Sequence, residues 1–261
     1  MENKDARIRV TFLGTGTSQG VPVIACPCAV CHSSDKKDKR LRSSVLVQSE
    51  TTSFVIDTGP DFRYQMLRAN VLQLDAVVFT HEHKDHIAGL DDVRAFNFRS
   101  GKKMEVYCTA RVENALRREF MYVFDEIKYP GIPELELIRI SDDGPFTVGD
   151  IAVVPILVHH HKLPVLGFRI NDFTYITDAS FIPESEMDKI KSSSVVVLNA
   201  LRKEPHISHF NLEQAIAVMD ELRPEQGYFT HISHLLGKHG DIEQQLPSGM
   251  HLAYDGLSLL I

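Results

Sequence analysis

The sequence is short of what would seat it in a membrane or along a nucleic-acid backbone. Its longest apolar runs, such as "IAVVPILV", fall well below the roughly 20 residues that a bilayer-spanning helix needs. The opening "MENKDARIRV" lacks the apolar stretch of a secretory signal, so a soluble cytoplasmic protein is expected. Positive charge is in deficit: 28 Lys and Arg face 35 Asp and Glu, a formal net charge of −7. That balance disfavours non-specific attraction to nucleic acid while leaving room for a local basic groove. Low-complexity segments, strong linkers and short-period repeats are absent, which excludes solenoid architectures. Cysteine is scarce, with four residues, and three of them (Cys26, Cys28 and Cys31) crowd into six positions. In a reducing compartment such crowding points to a metal site rather than a disulfide framework.

What is present is an ordinary globular composition, with 43% hydrophobic and 24% charged residues over 261 positions. Short β-type runs alternate with helical stretches. "RIRVTFLG" reads as a strand ending in the Gly-rich turn "GTGTSQG"; "SSVLVQSE" and "SFVIDTG" read as a hairpin. "DFRYQMLRAN" reads as a helix with Asp61 as N-cap, and "LDAVVFT" as a short buried strand. "LDDVRAFNF" and "ARVENALRREF" read as helices, with the strand "EVYCT" between them. The second half brings further strands at "DIAVVPILVHH", "VLGFRIND", "FTYITD", "SVVVLNAL" and "GYFTH". The amphipathic helix "NLEQAIAVMDEL" stops before Pro224, and two short strands close the chain. This order predicts one domain over residues 1–261 with two β-rich halves, two sheets packed together and helices outside.

The richest stretch is "VFTHEHKDHIAGL", where His81, His83, Asp85 and His86 fall within six positions. Imidazole and carboxylate are the usual ligands of zinc and similar divalent cations. At a strand end, residues two apart can point into the same cleft. His81 and His83 are so spaced, and Asp85 and His86 lie on the following turn.

This H-x-H-x-D-H pattern resembles the hallmark of the metallo-β-lactamase superfamily. The resemblance implies an α/β (α+β) fold: the αββα sandwich of two mixed β-sheets with helices outside, binding metal at one edge. It also implies further site residues. Asp57 in "VIDTGPDF" matches an upstream Asp that supports the site. Among His159, His160 and His161, His160 aligns with the family's ligand. Asp178 in "YITDAS" and His231 in "YFTHISH" complete the set. On this analogy His81, His83 and His160 hold one metal, Asp85, His86 and His231 a second, and Asp178 bridges them. The catalytic metals would be zinc, manganese or iron.

The C-x-C-x2-C spacing of Cys26, Cys28 and Cys31 calls for a fourth ligand to close a tetrahedral zinc site. His32 is the nearest candidate, although adjacent residues rarely both ligate well. A closer resemblance, to the phosphoribosyl cyclic phosphodiesterases (the PhnP-like branch), implies His234 instead, three residues after His231. A structural zinc there would pin an irregular loop at about 21–43. Cys108 stands apart as a core thiol.

The same branch places a histidine of "SHFNLEQAI", His209, near the scissile phosphate, with His206 as its rival and Glu213 as a supporting partner. His209 and Asp85 are the residues expected to act in catalysis. The reading that results is a metal-dependent phosphodiesterase with a dinuclear site, acting on a small, linear or cyclic, phosphodiester. A tRNA 3′-processing type of endonuclease is the alternative, weakened by the acidic charge and the lack of a long basic Gly/Pro-rich insertion. Thioester or β-lactam hydrolysis and a non-catalytic binding role rank lower. Residues 90–135 are expected to wall the pocket, with Arg94 or Arg99 as phosphate-holding candidates. A homodimer is compatible with all of this, and no residue pattern demands one.

Overall fold

The computed structural model describes residues 7–127 and 129–261; the charged opening stretch 1–6 lies outside the described residues. The first half runs β1 (Arg9–Gly14), β2 (Ser44–Gln48), β3 (Ser53–Ile56), α1 (Phe62–Arg68), β4 (Ala76–Val78), α2 (Lys84–Ile87), α3 (Arg94–Ser100), β5 (Met104–Cys108), α4 (Ala110–Glu119), α5 (Met121–Phe124), β6 (Leu135–Arg139) and β7 (Phe146–Val148). The second runs β8 (Ile151–His160), β9 (Leu163–Ile170), β10 (Phe173–Tyr175), α6 (Glu184–Ile190), β11 (Val195–Asn199), α7 (Leu212–Leu222), β12 (Gln226–Thr230), α8 (His239–Glu243), β13 (Met250–Leu252) and β14 (Ser258–Leu260).

Two seven-stranded sheets result, ordered β14-β1-β2-β3-β4-β5-β6 and β13-β12-β11-β10-β9-β8-β7. Period-2 alternation sorts the side chains. Val10, Phe12, Val45, Val47, Phe54 and Ile56 of the first sheet meet Val153, Phe168, Ile170 and Tyr175 of the second in a shared central core. The opposite face of the first sheet (Leu46, Val55, Val77) packs on Phe62 and Met66 of α1, Phe96 of α3 and Leu116 of α4. On the second sheet Ile156, Val158, Val196 and Leu198 pack on Met187 and Ile190 of α6 and Ala215 and Met219 of α7. Helices therefore cover both outer faces, the expected αββα layering.

Two details set the position of the site. β3, β4 and β5 pair in parallel, as do β10, β11, β12 and β13, so each sheet gathers its carboxyl ends at one edge. At the far side of the first sheet β14 pairs antiparallel with β1, and Ile8 and Ile261 exchange backbone hydrogen bonds of 3.0 and 2.9 Å.

Some local expectations need correction. Asp61 stands at the N-cap of α1 but its side chain makes no cap bond. Its carboxylate accepts instead from Arg42 N at 2.9 Å and pairs with the Arg42 guanidinium at 3.2 Å, tying the 21–43 loop to α1. "LDDVRAFNF" splits into a 3-10 turn over Leu90–Val93 and α3. No helix of the described residues is long and apolar enough to cross a membrane.

Candidate active site at the carboxyl edge of the sheets

Most of the expected site residues follow or end a strand, while Asp85 and His86 lie in α2 just beyond β4. Asp57 follows β3, His81 follows β4, His160 ends β8, Asp178 follows β10 and His231 follows β12. Three of these leave their strands in the left-handed region, with φ of +64° at Asp57, +59° at Asp178 and +55° at His231. That conformation costs a non-glycine residue about 1–3 kcal/mol and recurs where function dictates the backbone. Glycine is required nearby for a different reason: a Cβ on Gly59 would stand 2.2 Å from the Asp85 carbonyl oxygen. The turn after β3 thus presses against the histidine-rich turn after β4.

Hydrogen bonds fix the imidazoles one by one. Asp57, fully buried, accepts from Thr80 N (2.9 Å), Thr80 Oγ1 (2.8 Å) and His86 Nδ1 (2.7 Å). The Thr80 hydroxyl has given its proton to Asp57, so it accepts from His81 Nδ1 at 3.0 Å. His160 Nδ1 donates to Ser208 O at 2.6 Å. His231 Nδ1 lies 3.2 Å from Ser43 Oγ, which donates to Gly16 O. In all four rings Nδ1 therefore carries a proton, which leaves Nε2 as the atom a cation would meet. The buried Nε2 atom of His81 has no hydrogen-bond partner, and that of His86 faces only carboxylates. Buried polar atoms left open in this way fit a bound cation.

The charges agree with that reading. Burial, reinforced by His86, holds His81 well below the usual histidine range, and burial with His160 lowers His83, leaving both rings neutral. Burial disfavours charge on His86 as well, but the Asp85, Asp178 and Asp57 carboxylates outweigh it and raise its pKa. Burial acts against charge on Asp178 too, yet His231 and His86 hold it ionised. His86 Nε2 lies 3.2 Å from Asp85 and 3.3 Å from Asp178. Asp85, His86, Asp178 and His231 bring their ligand atoms within 4.8 Å of one another, enough to surround one ion. The rings of His81, His83 and His160 adjoin, with centroids 4.6 to 5.9 Å apart.

His209 differs from a simple neighbour of the site. Its ligand atom joins those of His160 and Asp178 within 4.8 Å, and its ring lies 4.4 Å from His160 and 4.9 Å from His231. Nδ1 is buried without a hydrogen bond, 3.8 Å from Asp178 Oδ1. Burial and the nearby His231 push its pKa down to about 3. The expected link to Glu213 does not form: Glu213 is exposed in the first turn of α7, whose capping box is Asn211 with Gln214. Asp178 is the carboxylate that His209 meets.

The cysteine cluster is equally compact. Cys26, Cys28, Cys31 and His234 bring their ligand atoms within 4.8 Å of one another, and both Cys26 Sγ and Cys28 Sγ lie 3.3 Å from His234 Nδ1. The Cys31 N–H and His234 hold the Cys28 thiol down at about 6, while burial pushes Cys31 up to about 11. Three thiols and one imidazole are a donor set that suits a four-coordinate zinc. His32 instead turns to Cys28 O at 3.2 Å. Cys108 is fully buried in the first sheet's outer core, as a core thiol should be.

Of residues 90–135, the part near this edge is the stretch 111–122. There Arg111 pairs with Glu82, Glu119 with Lys84 and Tyr122 with Asp91. Arg94 is taken up by Asp91 at 3.1 Å. Arg99 borders a cavity of about 650 Å³ where β4 and β5 begin, at the opposite end of those strands from the histidines. Neither arginine faces the cluster as a phosphate clamp.

A family model described as the β-lactamase superfamily domain matches residues 52–232, more than half of the chain. The chain belongs to the β-lactamase superfamily. Within it, a crystal structure described as a new diphosphatase from the PhnP family superposes with a TM-score of 0.92 at 40% identity, covering 98% of this chain and 97% of that one. The PhnP-like character read from the cysteine and histidine spacing therefore stands. An octanoyltransferase of Porphyromonas gingivalis is 39% identical over 97% of this chain but only 52% of its own length. A ribonuclease Z of Prochlorococcus marinus is 26% identical over 63% of this chain and 50% of that protein. The chain thus spans about half the length of these curated relatives. Human tRNase Z, short form, shares the fold at 18% identity and a TM-score of 0.68.

Proposed function

We propose that this β-lactamase-superfamily member is a metal-dependent hydrolase of small phosphodiesters and of phosphoanhydrides such as the diphosphate linkage. One observation carries the reading: Asp85, His86, Asp178 and His231 close on one point, the rings of His81, His83 and His160 adjoin it, and His209 is set against Asp178 and His160. The likeness to the diphosphatase supports the phosphorus chemistry and adds the P–O–P linkage to the substrate class.

His81, His83 and His160 would hold one divalent cation, Asp85, His86 and His231 a second, with Asp178 between them. Zinc, manganese and iron all suit these donors. When bound, such cations make water nucleophilic near neutral pH and offset charge on phosphoryl oxygens. The protein's own groups do the rest. Asp57 and Thr80 keep the Nδ1 protons of His86 and His81 in place, so both lone pairs stay aimed inward. In the net reaction a water oxygen joins phosphorus, the P–O bond to the leaving group breaks, and a proton reaches the departing oxygen. His209 is placed to carry that proton. It is neutral in the free protein, and the negative charge of an arriving phosphate raises its proton affinity. The Cys26, Cys28, Cys31 and His234 site has no open position, and its zinc would serve to hold the loop beside this edge.

A second reading, a tRNA 3′-processing type of endonuclease, is favoured by the ribonuclease Z relatives. The net charge of −7 argues against a polyanion as large as tRNA. The name octanoyltransferase describes a protein nearly half of which lies outside the match.

The test is metal content together with turnover of bis(p-nitrophenyl) phosphate, ADP-ribose, a thioester and a β-lactam. We expect three metals per chain, phosphoester cleavage that Asp85→Ala abolishes, and at least a hundredfold loss of kcat in His209→Ala, in line with roughly 10²–10⁴-fold for general acid catalysis. Thioester or β-lactam turnover alone would overturn the reading.

A further inference from the structure

The segment from Arg202 to Asn211, between β11 and α7, crosses the metal edge and carries a second imidazole that the mechanism above does not use. Several bonds hold it in shape. The Arg202 guanidinium donates to Glu204 O at 3.2 Å and Pro205 O at 2.9 Å, and Asn211 Nδ2 donates to Lys203 O at 2.9 Å. Phe210 N donates to Ala179 O at 2.7 Å, beside Asp178, and Ser208 O accepts from His160 at 2.6 Å. The loop is thus fastened to the site at both of these points.

His206 sits at its tip, half-buried, with its ring centroid 5.2 Å from that of His209. The backbone N–H of Ser208 donates to His206 Nδ1 at 3.3 Å, and the Ser208 hydroxyl lies 3.2 Å from the same nitrogen. A backbone N–H can only donate. His206 Nδ1 is therefore an acceptor, and the ring's single proton is on Nε2. Burial and the charge of Arg202 also disfavour a second proton. His206 is built as a neutral donor through Nε2, whereas His209 Nδ1 has no hydrogen-bond partner and faces Asp178.

We infer that His206 Nε2–H is a specificity-determining donor to the leaving phosphate of a diphosphate substrate. This rests on the phosphohydrolase reading above. His209 adjoins His160, His231 and Asp178, the groups around the reacting phosphoryl, whereas His206 lies one ring further out, beside His209. A group that bonds His209 through the leaving oxygen presents its next atoms to His206. When that group is a phosphate, those atoms are non-bridging oxygens, strong acceptors for an N–H. When it is a phenoxide or an alkoxide, His206 finds no such acceptor. During cleavage His206 keeps its proton, and the hydrogen bond holds the departing phosphate.

The experiment compares wild type, His206→Ala and His206→Gln, whose amide can still donate. ADP-ribose serves as the diphosphate and bis(p-nitrophenyl) phosphate as the diester without a second phosphate. Binding of methylenediphosphonate, which cannot be hydrolysed, is followed by calorimetry, and the His206 tautomer by ¹⁵N NMR. We expect His206→Ala to lower kcat/KM for ADP-ribose relative to the diester by about tenfold or more, the scale of one hydrogen bond to a charged group. Methylenediphosphonate affinity should fall similarly, His206→Gln should recover most of both, and Nδ1 should be the unprotonated nitrogen. An unchanged ratio, equal loss on both substrates, no ADP-ribose turnover by wild type beside active diester cleavage, or a proton on Nδ1 would overturn the inference. If wild type with its metals cleaves neither substrate, the phosphohydrolase reading fails. The diphosphonate affinities and the tautomer then decide the His206 donor by themselves.

Discussion

Asp57 shows how much of a single residue can be read from sequence and how much cannot. Its place after an apolar run, upstream of the histidines, was legible, and so was its supporting role through resemblance. Its left-handed backbone was not, because no residue type signals it as glycine would. The carboxylate, shut off from bulk solvent, satisfies three donors. Asp57→Ala would strand all of them, including His86 Nδ1, inside a fully buried pocket. Urea unfolding should show a loss of about 3–5 kcal/mol, the scale for a broken buried pair. Metal titration of the part that still folds should show affinity about 10–100-fold lower, as expected on losing a group that orients a ligand. An affinity unchanged within twofold would mean that Asp57 does not orient His86. Gly59 makes a second case: Gly59→Ala pushes a methyl into the Asp85 backbone, and phosphoester turnover should drop at least tenfold while the overall fold persists. His206 and His209 illustrate the limit in the other direction. Both stood out in the sequence, but the backbone N–H of Ser208 that fixes the His206 tautomer was not legible there.

Among the elements, long runs with a strong period were legible: β1, the β2–β3 hairpin, β8, β9, α4 and α7 lie where the pattern put them. β6, β7, α6 and α8 escaped. "LELIR" of β6 alternates, yet as an edge strand of the first sheet it is mostly half-exposed and poor in contrast. "ESEMDKI" of α6 is short and starts after an N-cap, Pro183, that offers no side-chain cap, so its start carries little signal in the sequence. The 21–43 loop is the element whose shape depends most on four side chains brought together from distant positions. Cys28→Ser should remove one zinc per chain by elemental analysis and speed proteolytic cleavage within 21–43. Metals at the histidine cluster should remain. Unchanged zinc content with an intact loop would show that these thiols bind nothing.

Over the whole molecule, the histidine edge is joined to the C-terminal strands by a buried polar cross-tie. Arg40 donates to Thr15 Oγ1 at 2.8 Å, to Ala253 O at 2.6 Å and to His239 Nδ1 at 3.1 Å, and Asp38 accepts from His239 N at 2.7 Å. Burial, with Arg40 and Lys37 nearby, pushes His239 down to about 4, against an ordinary value of 6.5. Between those values the unfolded chain takes up a proton that folded His239 refuses. Its contribution to stability is therefore complete above about pH 6.5 and lost as the pH falls toward 4, by at most about 1.4 kcal/mol per pH unit. His239→Gln should flatten the pH dependence of unfolding free energy by about one proton across that window. Parallel curves for the two proteins would refute it.

The pairing of β14 with β1 closes the first sheet on itself in sequence: residues 8 and 261 lie side by side, at the end of β1 away from the Gly-rich turn. The backbone is in this sense a ring with one nick. Residues 8 and 261 both lie behind the histidines rather than across them. A permutant with residues 8 and 261 linked, and new ends cut at the exposed Asp143–Gly144 turn, should keep the site intact.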